Sequence, residues 1–366
     1  MPDGVIDTRP WIEVDGERPA MLNALVRELV MDEAEGGLSQ VEIRLDNTAR
    51  HAGVGVNLAF EFADTETLPL GKPFRVLFPA RMAEAGEDGP REIFEGRVSA
   101  LEFIADEAGT PELCILGEDA LMPWRMRRRT ASHDGRPLRE MIAALAAGDA
   151  LADPVTDYLG GAIVARQQVN ETDLGFLRRM LADHDADLQV VGGRLQVAPR
   201  ADIERGRLTL ELGAGLTRVR LVADLAGQRA GFSLSAYDHV ADQMIRSEMS
   251  TEALGPGSGK AGPEYLEGFG PTFEHFAAAP VTKAAEAQAL IDAIGARAAR
   301  RFVRAEGTAV GDPRLRVGTH LTLEGVGPRF SNTYYVTAAR HRFSRTEGYV
   351  TEFEAECAFF NGETGG

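Results

Sequence analysis

Cysteine is nearly absent. Cys114 and Cys357 are the only two in 366 residues, far apart and outside any CxxC or Cys/His cluster. That excludes a disulfide framework and argues against zinc, so both thiols are expected to be buried on strands. Long apolar runs are missing too. No stretch approaches the ~18 uncharged apolar residues of a spanning helix, and MPDGVIDTRPWIEVDGE lacks the basic-then-apolar form of a signal peptide. Basic charge is in deficit: 39 Lys+Arg against 56 Asp+Glu leave a net charge of −17. This argues against a general grip on nucleic acid, whose affinity comes from neutralising phosphates. The common catalytic signatures are also lacking. The seven histidines form no HxH or HExxH pair, GFSLSAYD lacks the G-x-S-x-G elbow, VGVNLAF lacks the third glycine of a dinucleotide fingerprint, and there is no Walker sequence. Asp183-His184-Asp185 is the densest cluster, yet adjacent helical positions point about 100° apart and do not converge. No catalytic, cofactor or metal site is expected.

What the chain has in quantity is turns, with 40 Gly and 18 Pro, and at ~150 residues per domain its length suggests two or three units. The first 124 residues read as strands. Val41, Ile43 and Leu45 alternate with polar neighbours; Val54, Val56, Leu58, Phe60 and Phe62 do the same; PFRVLFPAR, EIFEGRVSALEFIAD and ELCILGE continue the pattern. Such strands are expected to close into a small barrel or sandwich, because open edges are hazardous. MLNALVRELVM fits a helix or a strand equally. Residues 125–205 read as an inserted α+β unit. It has one helix after Pro137, carrying Leu138, Met141, Ile142 and Leu145. A second, capped by Asn170, carries Leu174, Leu177 and Leu181, and a Gly192-Gly193 hairpin follows. Residues 206–250 and 304–362 form a second strand block, with GFSLSAYDHVADQMIRSE passing from a strand into a turn or short helix. Residues 251–303 hold a long Gly/Pro loop, expected to extend over a neighbour, and an Ala-rich helix from Thr282 to Phe302. The fold class is thus α+β, mainly β.

Two separated motif groups resemble one family. Gln168-Val169-Asn170-Glu171-Thr172-Asp173, followed by Phe176-Leu177 and a hairpin, is similar to the Q-x-x-E-S/T-D-x-x-F-L segment of the phage late control D proteins. That group includes baseplate hubs of contractile phage tails and the N-terminal part of type VI secretion spike proteins. Gly311-Asp312-Pro313, Gly318, Gly325, Tyr334 with Val336, His341, Gly348-Tyr349 and Thr351 resemble the family's closing strands in the same order. Phe330-Ser331-Asn332-Thr333-Tyr334 departs from the pattern, having no glycine before the Tyr, and Asn is expected to supply the left-handed turn there. The resemblance implies two related, barrel-like tail-tube-type domains per chain. It further implies a homotrimeric ring whose six similar units adapt a threefold spike to a sixfold tube. The secretion relatives continue into a needle, whereas this sequence ends at GETGG, so the spike is expected to be a separate protein. Tail tube and other baseplate proteins are the remaining implied partners, with assembly in the bacterial cytoplasm and residence in the particle's baseplate.

Two charge patterns stand apart from the motifs. Arg125, Arg127, Arg128 and Arg129 open the one strongly basic island, readable as a docking surface for an acidic partner or as intramolecular pairing at a domain junction. Glu352, Glu354 and Glu356 alternate along the last strand at a spacing of ~6.5 to 7 Å. They are readable as a solvated face, as a lumen lining that repels polyanions, or as a glycosidase-type pair. Trp11, Trp124, Tyr334 and Tyr335 are expected to be core or interface anchors. The function expected is a non-enzymatic baseplate hub. A tail-associated peptidoglycan hydrolase and a carbohydrate-binding module are the alternatives.

Overall fold

Apolar residues at every second position become strands over most of the chain. The computed structural model describes residues 9–48, 60–63, 67–79, 89–107, 109–147, 151, 154–156, 163–250, 254–270, 272–277 and 281–361. The first block holds β1 (Trp11–Val14), α1 (Ala20–Leu25), β2 (Val26–Ala34), β3 (Gln40–Asp46), β4 (Pro73–Pro79), β5 (Pro90–Ile104) and β6 (Glu112–Asp119). MLNALVRELVM turns out to be both of its alternatives, changing from α1 to β2 at the β-branched Val26. Val54, Val56 and Leu58 of the expected strand lie outside the described residues.

The inserted unit holds α2 (Met122–Met126), β7 (Arg128–Pro137), α3 (Leu138–Ala146), β8 (Ile163–Thr172), α4 (Asp173–Ala182), β9 (Ala186–Val191) and β10 (Arg194–Pro199). Helices α3 and α4 bury their apolar stripes around Trp124 of α2 in a core of their own. Then come β11 (Gly206–Leu212) and β12 (Gly215–Ala223). A lobe of β13 (Gly231–Asp238), β14 (Gln243–Glu248), β15 (Lys260–Ala261), β16 (Phe273–Phe276) and α5 (Ala284–Arg300) follows. The chain continues through β17 (Val303–Val310), β18 (Thr319–Glu324), β19 (Asn332–Ser344), β20 (Gly348–Cys357) and β21 (Phe359–Phe360). GFSLSAYDHVADQMIRSE is a complete hairpin of β13 and β14, not a strand with a helical tail.

The two strand blocks share one spatial order. It is β1-β4-β5-β6-β3-β2 in the first and β11-β18-β19-β20-β17-β12 in the second, which is first, fourth, fifth, sixth, third, second in both. Two of their irregularities coincide, while a third, at Ile93 of β5 beside β4, has no counterpart between β18 and β19. A bulge falls at Ser99 in β5 and at Thr337 in β19. Each hydroxyl donates to the opposite carbonyl, Leu116 O at 3.1 Å and Glu354 O at 3.2 Å. A second pair of bulges falls at Arg27 and Thr217. Gly71 N–H donates to Val98 O, and Gly318 N–H donates to Val336 O; the glycines sit at φ +81° and +86°, which only a residue without Cβ adopts freely. From these landmarks, Val98-Ser99-Ala100 corresponds to Val336-Thr337-Ala338, and β2 corresponds to β12.

One strand breaks the correspondence. β1 runs antiparallel to β4, whereas β11 runs parallel to β18. Because of that reversal β11 meets β12 at Leu212 and Leu216, and the second block closes into a six-stranded barrel. The first block falls short of the expected barrel: among the described residues β1 and β2 do not pair, and the ladder stays open around a single core. Helix α1 covers the gap. The Asn23 carboxamide accepts from Ile12 N–H at 2.7 Å and donates to Ile12 O at 2.9 Å, the two bonds a neighbouring strand would make.

The blocks are joined by β2 pairing antiparallel with β19, from Ala34 opposite Ala338 to Glu28 opposite Ser344, giving one twelve-stranded sheet. The Gly/Pro loop corrects two expectations. In its described part it does not reach away but folds back on its own barrel, with β15 pairing β21. Asn332 is the first residue of β19 and lies outside the left-handed region. Its carboxamide accepts from Ser258 N–H at 3.0 Å and donates to Ser258 O at 2.8 Å, clamping that loop.

Candidate functional site

The first motif group is a strand-to-helix corner in the inserted unit. Thr172, not Asn170, caps α4, its hydroxyl accepting from Gly175 N–H at 3.1 Å. Asn170 instead takes φ +46° on β8, and its carbonyl accepts from Arg128 at 2.7 Å. Gln168 and Asp173 are fully buried. Asp173 accepts from Arg127 at 2.6 Å, from Arg129 at 2.7 Å and from Gln168 at 3.0 Å. Burial pushes its carboxyl up, but the hydrogen bonds from Gln168, Arg127 and Arg129 outweigh that and hold it below the usual carboxylate range. Glu171 pairs with Arg179, while Phe176 and Leu177 fill the core. Arg125 completes the basic island's contacts with Glu118 at 2.8 and 2.9 Å. Asp173→Ala is expected to deprive Arg127, Arg129 and the buried Gln168 of their shared acceptor and to cost about 3 kcal/mol, read as a lowered urea midpoint.

The second motif group converges on the seam between the blocks. Tyr349 Oη lies 2.8 Å from His341 Nδ1, and Thr351 Oγ1 lies 3.3 Å from the same nitrogen. Asp312 N–H donates to Thr351 Oγ1 at 3.1 Å. The Tyr349 ring lies flat against Phe78 of the first block, 3.8 Å between centroids and 11° between planes. Gly311 backs the other side of that ring: a Cβ there would sit 2.2 Å from it. Gly311, Asp312, the buried Pro313 and Gly318 thereby shape the loop from β17 to β18. That loop carries Arg316 and Val317 to the buried Glu33, at 2.5 and 2.7 Å. Tyr334 and Val336 are barrel core, and Gly325 and Gly348 make turns at positive φ.

His341 is fully buried, and burial first, then the Arg316 charge, holds its pKa well below 6.5. It is neutral in the fold and takes up a proton on unfolding, so its contribution to stability is present above pH 6.5 and is lost as the pH falls below that value. His341→Phe, the residue that β5 carries at the corresponding position, is expected to flatten this acid-side decline between pH 7 and 5, as followed by denaturant titration.

A third cluster, which the sequence did not announce, ties all three units together. Arg200 donates to Glu356 at 2.6 Å and contacts the Glu35 carboxyl. Arg300 pairs with Asp185 at 2.6 Å and with Glu356 at 3.4 Å, and Arg205 pairs with Asp187 at 3.0 Å. Asp187 also accepts from Gly36 N–H at 2.7 Å, and Arg178 donates to Gly36 O and Gly37 O. Burial, only partly opposed by Arg200 and reinforced by Asp187 and Glu356, pushes the Glu35 carboxyl up to about 8. With Glu35 protonated, Asp185, Asp187 and Glu356 face Arg200, Arg205 and Arg300, a balanced set. The signal available in the sequence was only a set of scattered charges, none within a motif.

Beside this cluster the outward face of β12, β17, β20, β19 and β2 floors a cleft of about 1200 Å³. Glu352, Glu354 and Glu356 all line it, in different states. Glu352 is held by Arg342 at 2.7 Å, Glu354 is exposed with no ion-pair partner among the described residues, and Glu356 is buried under the inserted unit. Asp183 and Asp185 of the DHD cluster turn to separate arginines, Arg166 and Arg300. Among the described residues no group of three or more His, Cys, Asp or Glu could hold a metal ion. Cys114 and Cys357 are buried thiols on β6 and β20, pushed by burial up to about 11 and about 12. Trp124, Tyr334 and Tyr335 are buried, and Trp11 lies under Arg18.

This architecture is that of phage tail and type VI secretion proteins of known structure. The 43 kDa tail protein of prophage MuSo2 from Shewanella oneidensis matches at a TM-score of 0.67 and 12% identity, over 95% of this chain and 98% of that one. A tail protein of Neisseria meningitidis matches at 0.62 and 13%, over 95% and 96%. The Escherichia coli c3393 protein, a type VI secretion component described as structurally similar to T4 tail proteins gp27 and gp5, matches at 0.57 and 11%, over 94% and 76%. At these identities the likeness shows the fold. No sequence among the curated proteins matches. A family model described as the Alg8 N-terminal domain matches residues 84–345, and the chain belongs to that family.

Proposed function

We propose that the chain is a structural component of a contractile tail or contractile injection system. In this reading it is the baseplate hub, a late control D-type protein that forms a homotrimeric ring joining a separate central spike to the first ring of the sixfold tail tube. The observation that carries this reading is the internal repeat. Two six-stranded blocks with the same strand order and two shared bulges stand side by side, so three chains supply six similar units, as symmetry matching requires. Assembly would take place in the bacterial cytoplasm, and the finished ring would reside in the baseplate. The cleft residues Glu352 and Glu354 are the ones available to repel a polyanion if that face lines the lumen.

Light scattering and negative-stain images of the purified chain test the reading. The expected result is a threefold particle with six lobes; a monomer at every concentration, absent from the particle's axis, overturns it. The hydrolase alternative rests on the exposed Glu354 beside Glu306 on the adjacent strand. Peptidoglycan lysis that disappears in Glu354→Gln would favour it over the hub.

A further inference from the structure

The seam between the blocks has a counterpart that a single chain leaves unmade. On β19, residues 338–344 accept β2 along the edge that β18 occupies only further upstream. The corresponding stretch of β5 begins at Ala100. It pairs with β6 on one side, and among the described residues β4 reaches only to Arg97 on the other. On β12, the counterpart of β2, residues 218–223 pair with β17, while β11 touches only Gly215 and Leu216. Among the described residues, one chain therefore presents an unpaired copy of each half of its own seam.

Burial marks the same places. Leu70, Leu101 and Phe103 are 66%, 40% and 53% exposed, whereas their counterparts Val317, Ala339 and His341 are 2%, 3% and 0% exposed. Ala339 and His341 lie opposite Glu33 and Met31 of β2, and Val317 N–H binds Glu33. The apolar surface left open on the first block is thus the surface that β2 covers on the second.

We propose that residues 218–224, the end of β12 and the residue after it, pair antiparallel with residues 100–106, the end of β5 and the two residues after it, in a second copy of this chain, repeating the β2–β19 seam. Carrying over the register of that seam through the shared bulges sets Leu101 opposite Ala223, Glu102 opposite Val222 and Phe103 opposite Leu221. It sets Asp106 opposite Arg218, a guanidinium with no ion partner among the described residues. The seven facing positions include three apolar pairs, Ala105 with Val219 being the third, and one pair of opposite charge, the chemistry that stabilises neighbouring strands. Each copy offers β12 to one neighbour and β5 to the other, a head-to-tail contact that must close as a ring or grow without end. The number of copies rests on the ring reading above; the joint itself does not.

Disulfide trapping in the full chain tests the joint. Arg340 and Asp32 face each other across the existing seam, so Asp32→Cys with Arg340→Cys is expected to form an intrachain disulfide and serves as the geometric control. Glu102→Cys with Val222→Cys is expected to link most of the purified protein between chains under mild oxidation. Each single variant is expected to give none, since the native thiols are buried. Covalent trimers support the joint and the ring together, while longer open ladders support the joint and overturn threefold closure. Threefold rings that never cross-link, with the control formed, overturn the joint and leave the ring reading standing. A chain that stays monomeric and unlinked at high concentration overturns the joint. Leu101→Asp adds a second readout: at a side chain 40% exposed in the single chain, it is expected to abolish assembly while the melting transition of the isolated chain stays in place.

Discussion

Glu356→Ala is expected to lower the stability of the chain by about 3–5 kcal/mol, the cost of stranding buried charge. Glu356 is the shared acceptor of Arg200 and Arg300, one from the inserted unit and one from the end of α5. Without it Arg200 keeps only the Glu35 carboxyl, which is largely protonated at neutral pH in the intact cluster. Removing Glu356 also removes one of the charges that keep Glu35 protonated, so Glu35 then ionises more readily and the deficit narrows as the pH rises. Glu356→Gln retains a carbonyl acceptor and is expected to lose less. Urea titrations at pH 6 and pH 8 check both statements; a Glu356→Ala midpoint equal to that of the parent chain contradicts them.

Gly311→Ala is expected to be nearly as damaging, at about 3 kcal/mol, the upper part of the range for overpacked cores. The added methyl would lie 2.2 Å from the Tyr349 ring, and that ring cannot retreat because Phe78 is stacked on its other face. The strain falls on the seam, since moving Tyr349 breaks its bond to His341 and unseats the loop that presents Arg316 to Glu33. A double-mutant cycle with Tyr349→Leu is the check. The smaller side chain is expected to recover part of the loss, giving a coupling energy near 1 kcal/mol or more. Independent, additive effects would show that the contact is not the cause.

Much of the fold was legible wherever periodicity had one meaning. Val41, Ile43 and Leu45, the α3 stripe and the Gly192-Gly193 hairpin all appear as read. β7 escaped because RRTASHDGRP carries no large apolar side chain, and β17 because VRAEGTAV alternates mostly through small residues, Ala305, Gly307 and Ala309, whose period is a weak signal. The motif residues were found, but their purpose was not. His341 and Tyr349 are brought together by the register of β19 and β20, and Gly311, far upstream of both, by the pairing of β17 with β20. The repeat was implied by resemblance alone, although Val98-Ser99-Ala100 and Val336-Thr337-Ala338 carried its trace, a hydroxyl at the bulge between two small apolar residues. Only five of the six strands keep their sense, and the corresponding positions otherwise differ in chemistry, so sequence self-comparison had little to hold.

The side-chain amide of Asn23 has an effect that reaches beyond the finished molecule. By imitating a peptide unit against Ile12, it withdraws one rim from any incoming polypeptide. Copies of the chain crowded together then have one fewer template for zipping into filaments.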